Sequence, residues 1–507
     1  MSAASKHIPH LLREATPAFS WRHTVTVRRE TYAGLIGALL VIPQAITFSY
    51  LAGVAPVYGL YCAIFVGLMA SLFGNSQMVS GPNTAVSILL GLSVLPFTGR
   101  GSPLFVEFVL LLSLMAGLIQ LLIWLMRGAA LFRYFSPAAI AGIKAGVGVL
   151  LITSALEGMI GLSPMTTNFF YEKFYVVATS SRELVNPYAL TVAAITVATG
   201  LVLRKRWRSS YIIGAVLVGG VTGALIYGWY GPVQSDLELL GHVTLQALPF
   251  NIPRIGPQHW LFMEQVIPQA FAIAVLGLAQ SLVIANDLKA ATAKTLDLHK
   301  EVFAQGLANT IAPFFSSFAG SGSFNRTSVA LEMGAHTPLA GMIAAVAVGL
   351  IAWILGPLLA WLPLPVISGV LALVGIGMIT SNDMKALRNL IDGPVFLVTV
   401  FSVVFLGLET GIFVAMAVSV AFFVASASKV KLAISEHDDG REHIVVTGNL
   451  FFASLDRLAM HLHGDPTVHT VLDISRVSHC DATAQALISR VQAERMRHGG
   501  RLEVARE

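Results

Sequence analysis

Long apolar runs separated by short polar loops dominate the chain and predict a bundle of membrane-spanning helices. Most of these runs approach the ~20 residues that an α-helix needs to cross a bilayer. Seven precede and seven follow a polar segment, Gly231–Trp260. In chain order they are Tyr32–Leu51, Val57–Phe73, Thr84–Leu95, Phe105–Met126, Pro137–Leu156, Pro187–Leu203, Tyr211–Tyr227, Val266–Ala285, Val302–Phe318, Arg326–Met333, Pro338–Leu355, Leu364–Ile379, Gly393–Leu408 and Gly411–Ala427.

The third and the tenth runs are too short to cross a bilayer, and each follows a small-residue break. Ser80–Asn83 precedes the third run, and Gly320–Asn325 precedes the tenth, with Asn325 predicted as the helix N-cap. Because each half holds an odd number of runs, the halves are inverted repeats, and paired breaks at matching rank indicate a binding site at the membrane midplane. Two helix N-termini that meet there present N–H groups and partial positive charge, which suits an anion.

Two cations lie inside the apolar region. Arg326 directly follows the second break, and a charge within a membrane span marks a functional site by default. A structural ion pair with Glu332, or a snorkelling position, is the alternative for Arg326. Lys144, in the fifth run, is expected to snorkel towards the cytoplasmic face. Glu30 and Glu332 are expected to be solvated charges at helix ends.

Composition agrees with a membrane protein. Apolar residues make up 55% of the chain and charged residues 12%, about half the charged share of a soluble domain. Fifteen Lys and Arg residues fall in the loops assigned to the cytoplasm, against Arg100, Lys173, Arg182 and Arg254 outside. This bias predicts cytoplasmic N- and C-termini. The first thirty residues are polar and lack the apolar core of a cleavable signal, so a retained cytoplasmic N-terminal segment over 1–30 is expected. The net charge of +5 therefore reflects topology and does not favour a nucleic-acid partner, since the basic residues are scattered.

The composition changes after Ala427, where strands and helices are predicted to alternate. Such alternation is typical of a small α/β domain, here over 429–507. The predicted elements are a strand at Ile444–Gly448, a helix at Leu450–His463, a strand at Val468–Ile474, a helix at Asp481–His498 and a strand at Arg501–Val504. The histidines of this region fit no common zinc spacing. No nucleotide-binding loop is visible in the sequence, so transport would be secondary.

Several motifs together resemble the sulfate permease (SulP) family of anion transporters. They are the run from Gly34 to Gly53, which includes Pro43-Gln44, the run Gln305–Asn309, and the run Gly334–Gly341. The stretch Val471–Ala484 is similar to the STAS domain that follows the membrane part in this family. Asp481 is followed there by Ala482, where the family usually has Ser, so the resemblance does not imply phosphorylation control at this position.

The resemblance implies an all-α polytopic membrane protein with 14 spans in 7+7 inverted repeats, two half-helices, and a small cytoplasmic α/β STAS-like domain. A transport domain at 31–428 would hold core spans within 31–127 and 265–356 and gate spans within 131–229 and 362–428. It also implies elevator-like movement of core against gate, a homodimer, and a multi-pass position in the cell inner membrane.

The resemblance further implies a substrate site without metal, cofactor or catalytic residue. Its residues would be Gln44, Phe48, Asn83, Thr84, Ala85, Gln280, Asn325 and Arg326. Many members carry a carboxylate at the position that Gln280 occupies in the eighth run.

We therefore predict a transporter and not an enzyme. Secondary active transport of a small anion is expected, with sulfate, bicarbonate or a dicarboxylate such as fumarate as candidate substrates. Proton-coupled symport is the predicted mode, and a co-transported proton the predicted partner. The alternatives are an anion channel, a sodium-coupled anion symporter, a nucleobase carrier and a non-transporting receptor.

Overall fold

The structure is a computed structural model that describes most of the chain between residues 27 and 505. The described ranges are 27–128, 136–162, 170–179, 185–206, 211–241, 245–246, 249–252, 256–292, 296–379, 392–428, 430–436, 441–451, 454–462 and 467–505. Most of the predicted N-terminal segment 1–30 therefore lies outside the described residues. The chain forms two compact units, Met1–Ala415 and Met416–Glu507. Our domain limit at 428 stays a prediction.

The membrane part consists of helices whose limits agree closely with the apolar runs. They are α1 (Val27–Ala52), α2 (Pro56–Phe73), α3 (Thr84–Val94), α4 (Pro103–Leu125), α5 (Pro137–Met159), α6 (Phe170–Thr179), α7 (Pro187–Arg206), α8 (Tyr211–Ser235), α9 (Pro257–Gln265), α10 (Ile267–Thr292), α11 (Leu298–Ile311), α12 (Phe324–Glu332), α13 (Leu339–Leu359), α14 (Leu364–Met378), α15 (Asp392–Phe405) and α16 (Leu408–Ala427). Of the described helices, α6 and α9 lie outside the predicted runs, in polar connections. The predicted polytopic helical fold is confirmed.

Eight of the described helices are long and apolar enough to cross a membrane. The shorter ones include α3 and α12, which follow the two breaks. The ninth run differs from the prediction, because α11 ends at Ile311 and a 3₁₀ turn, Ala312–Phe315, follows it. Pro313 lies in that turn, and proline removes the N–H that a continuing helix needs.

The helices of the first unit pack in two sets, which we name after the predicted domains: the core set (α1, α3, α4, α10, α11, α12 and α13) and the gate set (α5, α7, α8, α14 and α15). That these sets act as core and gate stays a prediction. In one set α1 packs against α13, and α4 packs against α11 and α10. In the other set α14 packs against α5 and α7, while α15 packs against α5 and α8 against α7. Glycines allow these close approaches: a Cβ on Gly117 of α4 would lie 2.5 Å from the Asn309 carbonyl carbon in α11. Small residues at interfaces are the usual means of packing helices in membranes.

Glu30 is buried, so the expectation of a solvated end charge was wrong. Its carboxylate accepts backbone N–H groups from His336 at 2.8 Å, Thr337 at 3.1 Å and Ala340 at 3.2 Å. These groups lie at the beginning of α13, where the first N–H groups of a helix have no partner within the helix. A negative charge there is also favoured by the helix dipole. Glu30 therefore joins the beginning of α1 to the beginning of α13.

The second unit contains the predicted small α/β domain. Two short strands of the first unit, β1 (Ser80–Gly81) and β2 (Ser321–Gly322), precede it in the chain. The helices of the second unit are α17 (Leu455–Leu462) and α18 (Ala482–Arg497), and its strands are β3 (Lys431–Glu436), β4 (Glu442–Leu450), β5 (His469–Asp473), β6 (Val477–Cys480) and β7 (Arg501–Ala505). The sheet order is β3-β4-β5-β7, with β6 also paired to β4, and β3 is the antiparallel strand. We did not predict β3 or β6, which are short or carry charge. Asp481, from the STAS-like stretch, is the N-cap of α18 and accepts the Ala484 N–H at 2.8 Å.

We predict that Glu30→Gln destabilises the first unit. The variant replaces a carboxylate that accepts three backbone N–H groups with a neutral amide, so a loss of about 1–3 kcal/mol is expected. Thermal unfolding of the purified protein in detergent would show it as a lower Tm. Glu264→Gln, at an exposed position on α9, is the control and should leave the Tm unchanged; an equal Tm for both variants would contradict the structural role of Glu30.

Candidate functional site

The two breaks meet in a short antiparallel pairing of backbones. Ser80 and Gly81 form strand β1 (Ser80–Gly81), Ser321 and Gly322 form strand β2 (Ser321–Gly322), and the register joins Ser80 to Gly322 and Gly81 to Ser321. All four residues are buried. Non-helical backbone at membrane depth must find its hydrogen bonds within the protein, and the pairing supplies part of them. We call this pairing of Ser80–Gly81 with Ser321–Gly322 the crossing. Helices α3 and α12 begin directly beyond it, so their N-termini lie on either side of the crossing.

Glycine at position 320 permits the crossing. A Cβ built on Gly320 would lie 2.3 Å from the Gly81 carbonyl oxygen and 2.7 Å from its carbonyl carbon. Both atoms belong to backbone that is held by the pairing, so they cannot move aside as a flexible side chain would. Any other residue at this position therefore has to push the two breaks apart.

Neutral amide side chains from α11 and α4 hold the crossing from behind. Asn309 accepts the Gly320 N–H at 2.8 Å and donates to the Gly320 carbonyl at 3.0 Å. It also donates to Gln120 Oε1 at 2.9 Å, and Gln305 donates to Ser80 Oγ at 2.7 Å. The two hydrogen bonds between the Asn309 amide and the backbone of Gly320 rigidify this part of the site. The crossing is therefore a fixed element of the core set of helices.

Helix α10 contributes the next layer of contacts. Ser281 Oγ accepts the Gly322 N–H at 3.0 Å, and Gln280 Oε1 accepts a hydrogen bond from Ser321 Oγ at 3.3 Å. Gln280 therefore acts here as a neutral acceptor, at the position where the family resemblance implies a carboxylate in many members. Its contact with the second break places it at the predicted site.

The two half-helices begin in different ways. Asn83 is the N-cap of α3: its Oδ1 accepts the Ala85 N–H at 3.1 Å, and its Nδ2 donates to the Gly322 carbonyl at 3.1 Å. The N-cap of α12 is Ser323, whose side chain makes no capping hydrogen bond. The prediction of Asn325 as N-cap was wrong, because the extended backbone of β2 turns into the helix immediately after Ser323. Asn325 falls in the first turn of α12, and its side chain lies outside the described residues.

Arg326 is buried to 1% exposure and joins the two breaks. Its Nη1 donates to the Pro82 carbonyl at 2.9 Å. Among the residues that the structure describes, its Nε and Nη2 find no hydrogen-bond acceptor and no carboxylate forms a salt bridge with it, so the ion pair with Glu332 that we considered is absent. The guanidinium thus adds positive charge to the region that the helix N-termini already make positive.

A cavity of about 110 Å³ lies in front of the crossing. Five predicted site residues line it, together with residues from both breaks and from the gate set of helices. The lining consists of Gln44, Phe48, Pro82, Asn83, Thr84, Lys144, Gln280, Gly322, Ser323, Val374, Gly377 and Met378. Ala85 and Arg326 do not belong to this lining. Ala85 is buried in the first turn of α3, and Arg326 lies behind Pro82. That any of these residues binds substrate stays a prediction.

Sequence reasoning missed the gate side of the cavity. Val374, Gly377 and Met378 of α14 look like ordinary residues of an apolar span, so no local signal distinguishes them. Lys144 did carry a signal, a charge within an apolar run, but we assigned it to the membrane surface. The structure places Lys144 in the cavity lining instead.

Comparisons with known proteins give a consistent result. A profile described as the sulfate permease family matches residues 28–401. The Bacillus subtilis (strain 168) protein named putative sulfate transporter YvdB is 26% identical over 94% of this chain and 91% of its own length. A solved structure of SLC26A9 covers 100% of this chain and 89% of its own, at 20% identity and a TM-score of 0.84. The transmembrane domain of the cyanobacterial bicarbonate transporter BicA covers 79% of this chain and 98% of its own, at 19% identity and a TM-score of 0.65.

We predict that Gly320→Ala disrupts the crossing. The added methyl group meets backbone atoms of Gly81, so the overpacking should cost about 1–3 kcal/mol. Size-exclusion profile and Tm in detergent are the measurements. Gly99→Ala is the matched control, because a Cβ at Gly99 meets nothing within 4 Å. A Gly320→Ala protein as stable as Gly99→Ala would mean that the two breaks do not meet as closely as described.

Proposed function

The chain belongs to the sulfate permease family of anion transporters, and from this premise we propose that it carries a small anion across the membrane by secondary active transport. The anion would bind in the cavity in front of the crossing. Gln44, Phe48, Asn83, Thr84 and Gln280 would contact it there, as part of the predicted site. Ala85, Asn325 and Arg326 would contribute through the helix ends and their charge.

One observation carries the proposal: two helix N-termini and a buried arginine converge beside one cavity. The first-turn N–H groups of α3 and α12 make the region positive. Arg326 adds a full charge for which the described residues provide no carboxylate partner. A buried uncompensated charge is unfavourable in a membrane, and an anion in the cavity would compensate it. The same environment repels cations, which disfavours cationic substrates.

The cavity walls suggest how transport would proceed. One wall comes from α1, α3, α10 and the second break, and the other comes from α5 and α14. These walls belong to the two sets in which the helices pack. We propose that the core set carries the bound anion past the gate set in an elevator-like movement. Alternate exposure of the cavity to the two sides would follow.

The names of two relatives point to two of the candidate substrates. YvdB is named a putative sulfate transporter and BicA a bicarbonate transporter. We propose sulfate, bicarbonate or a dicarboxylate such as fumarate as the substrate of this chain. All three are small oxygen-bearing anions, and N–H donors with positive charge suit each of them.

Coupling to protons is part of the proposal, since Gln280 is neutral where a carboxylate would suit sodium. We also propose that both termini face the cytoplasm in the cell inner membrane, as the distribution of Lys and Arg favours. The limits 31–428 for the transport domain and 429–507 for the STAS-like domain, and assembly as a homodimer, belong to the same proposal.

Arg326→Ala is expected to lower anion uptake at least ten-fold, because removing one buried charge from an anion site costs about 2–5 kcal/mol. Uptake of radiolabelled sulfate, bicarbonate and fumarate into proteoliposomes is the measurement. Arg326→Lys should retain part of the activity, and Arg28→Ala, at an exposed residue, should retain all of it. Full activity in Arg326→Ala would make this arginine a structural residue and displace the site from the crossing.

Anion uptake driven by an imposed proton or sodium gradient distinguishes proton-coupled symport, sodium-coupled symport and channel activity. With an acidic exterior, a proton-coupled symporter accumulates the labelled anion above equilibrium, and a proton ionophore abolishes the accumulation. Accumulation that requires external sodium and ignores pH would assign sodium coupling instead. Ohmic anion current without saturation would identify a channel and remove secondary active transport from consideration.

A further inference from the structure

A second, smaller cavity lies between the same helices as the first. Its volume is about 30 Å³, and its lining includes Tyr50 and Arg100 from the core set and Glu157 and Leu371 from the gate set. Helices α1, α5 and α14 contribute to both cavities. On α5 the lining residue changes from Lys144 to Glu157, which corresponds to about 20 Å along the helix. This second cavity therefore lies towards the end of the bundle at which α1 and α5 finish. The proposed topology places that end on the outer side of the membrane, so we call it the outer cavity.

The outer cavity has a positive side chain on the core set and a negative side chain on the gate set. Arg100 lies between α3 and α4, and Glu157 lies in the last turn of α5. The two side chains interact electrostatically. Glu157 is 3% exposed, and a buried carboxylate is unfavourable unless positive charge is near. The attraction between Arg100 and Glu157 therefore favours an arrangement in which the outer end is closed.

Arg100 is attached to the core set by packing and by hydrogen bonds in its loop. Gly53, directly after α1, has a φ of +75°. A Cβ on Gly53 would lie 2.8 Å from the ring of Phe105 and 3.3 Å from Arg100 Cγ, so the arginine stem packs on the end of α1. Ser102, the N-cap of α4, donates to the Gly99 carbonyl at 2.9 Å and stabilises the loop that carries Arg100. Movement of the core set would therefore carry Arg100 with it.

Glu157 is attached to the gate set by the close packing of its own helix. A Cβ on Gly158 would clash with Ser368 Oγ, so α5 and α14 approach each other closely beside Glu157. Helix α14 packs against α5 along much of its length. Because Arg100 and Glu157 belong to different sets, the elevator-like movement that we propose would separate the guanidinium from the carboxylate.

Arg100 also has a hydrogen-bonding group that the closed outer end does not use. Among the residues that the structure describes, none accepts a hydrogen bond from its buried Nε–H. Tyr50, near the end of α1, lines the same cavity and interacts electrostatically with Arg100. A guanidinium binds an oxyanion through parallel N–H donors. A solute that reaches Arg100 after Glu157 has moved away would therefore meet both positive charge and an N–H donor.

We propose that Arg100 is the first anion-binding group on the outer side of this transporter, and that Glu157 takes the place of the anion while the outer end is closed. This inference rests on the proposed anion transport and adds a second subsite to it. The ligand is a small oxyanion or carboxylate, the class of group that Glu157 itself presents to Arg100. In the closed state the carboxylate balances the guanidinium, and in the open state an external anion does so.

A comparison of two variants separates anion binding from closure of the outer end. Arg100→Gln and Glu157→Gln each remove the attraction between the two sets, so both shift the balance towards an open outer end. Apparent affinity depends on the fraction of molecules in the competent state, and both variants change that fraction in the same direction. Arg100→Gln alone also removes an anion contact. The difference between the two variants therefore reports that contact.

The test measures the apparent KM of anion uptake separately from each side of the membrane. Intact cells that lack their own uptake of the anion expose the outer side, and inverted membrane vesicles expose the cytoplasmic side. The probe is whichever of radiolabelled sulfate, bicarbonate and fumarate the parent protein transports. Arg100→Gln, Glu157→Gln and the double variant are compared, and Tm and size-exclusion profile of each purified protein confirm folding. Glu264→Gln, at an exposed position on α9, is the control and should behave as the parent.

The expected results differ between the two sides. From the outer side, Arg100→Gln should show an apparent KM about ten-fold above that of Glu157→Gln, the effect of one lost charge-assisted hydrogen bond. The double variant should match Arg100→Gln, because Glu157 acts on the anion only through Arg100. From the cytoplasmic side the three variants should agree with one another, because the anion then enters the first cavity without meeting Arg100.

Failure of the inference is distinguishable from failure of the proposed function. A parent protein that takes up none of the three anions defeats the proposed function, and the inference with it. Equal outer KM values for Arg100→Gln and Glu157→Gln, or a difference of the same size from the cytoplasmic side, defeat the inference alone and leave anion transport intact. If Arg100→Gln fails to fold because the buried carboxylate loses its counter-charge, the double variant decides in its place. An outer KM about ten-fold above that of Glu157→Gln then supports the proposal, and an equal KM overturns it.

Discussion

Two broken helices can exist inside this membrane bundle because their backbones pair with each other. Unpaired backbone in hydrocarbon costs several kcal/mol per group, and the antiparallel contact of Ser80–Gly81 with Ser321–Gly322 removes part of that cost. Asn309 and Ser281 satisfy the neighbouring groups at Gly320 and Gly322. The position of both helix N-termini, and therefore of the positive region in front of them, depends on this crossing.

The N-termini of α13, α3 and α12 are capped in different ways. The beginning of α13 is closed by the buried carboxylate of Glu30, and the beginning of α3 by Asn83. The beginning of α12, next to the cavity, receives no capping hydrogen bond from Ser323. The closed ends join core helices to one another, whereas the end of α12 without a side-chain cap keeps its partial positive charge next to the cavity, which Ser323 lines. In the proposed function, the bound anion would take the place of the missing cap.

Neutral and charged side chains have different roles around the cavity. Amides from Gln120, Gln305 and Asn309 build the scaffold without adding charge. Charge comes from Arg326 on the core side and Lys144 on the gate side. Because the two charges belong to different sets of helices, relative movement of those sets changes the field in the cavity. In the elevator-like movement that we propose, the charge on the gate side would change its distance from the rigid crossing.

The amino-acid sequence alone was enough to predict the spans, the inverted repeats and the two breaks, because apolar length and glycine-rich interruptions are local properties. It also identified Gln44, Phe48, Asn83, Thr84 and Gln280, which the folded chain brings to one cavity. The tertiary structure brings together groups that are distant in the chain: Arg326 reaches Pro82, 244 residues away, and Glu30 reaches His336, 306 residues away. It also turned Lys144 towards the cavity through the packing of α5 on α14. Charges within apolar spans show no partner in the local pattern, since their burial and contacts depend on helices that come together only in the folded bundle.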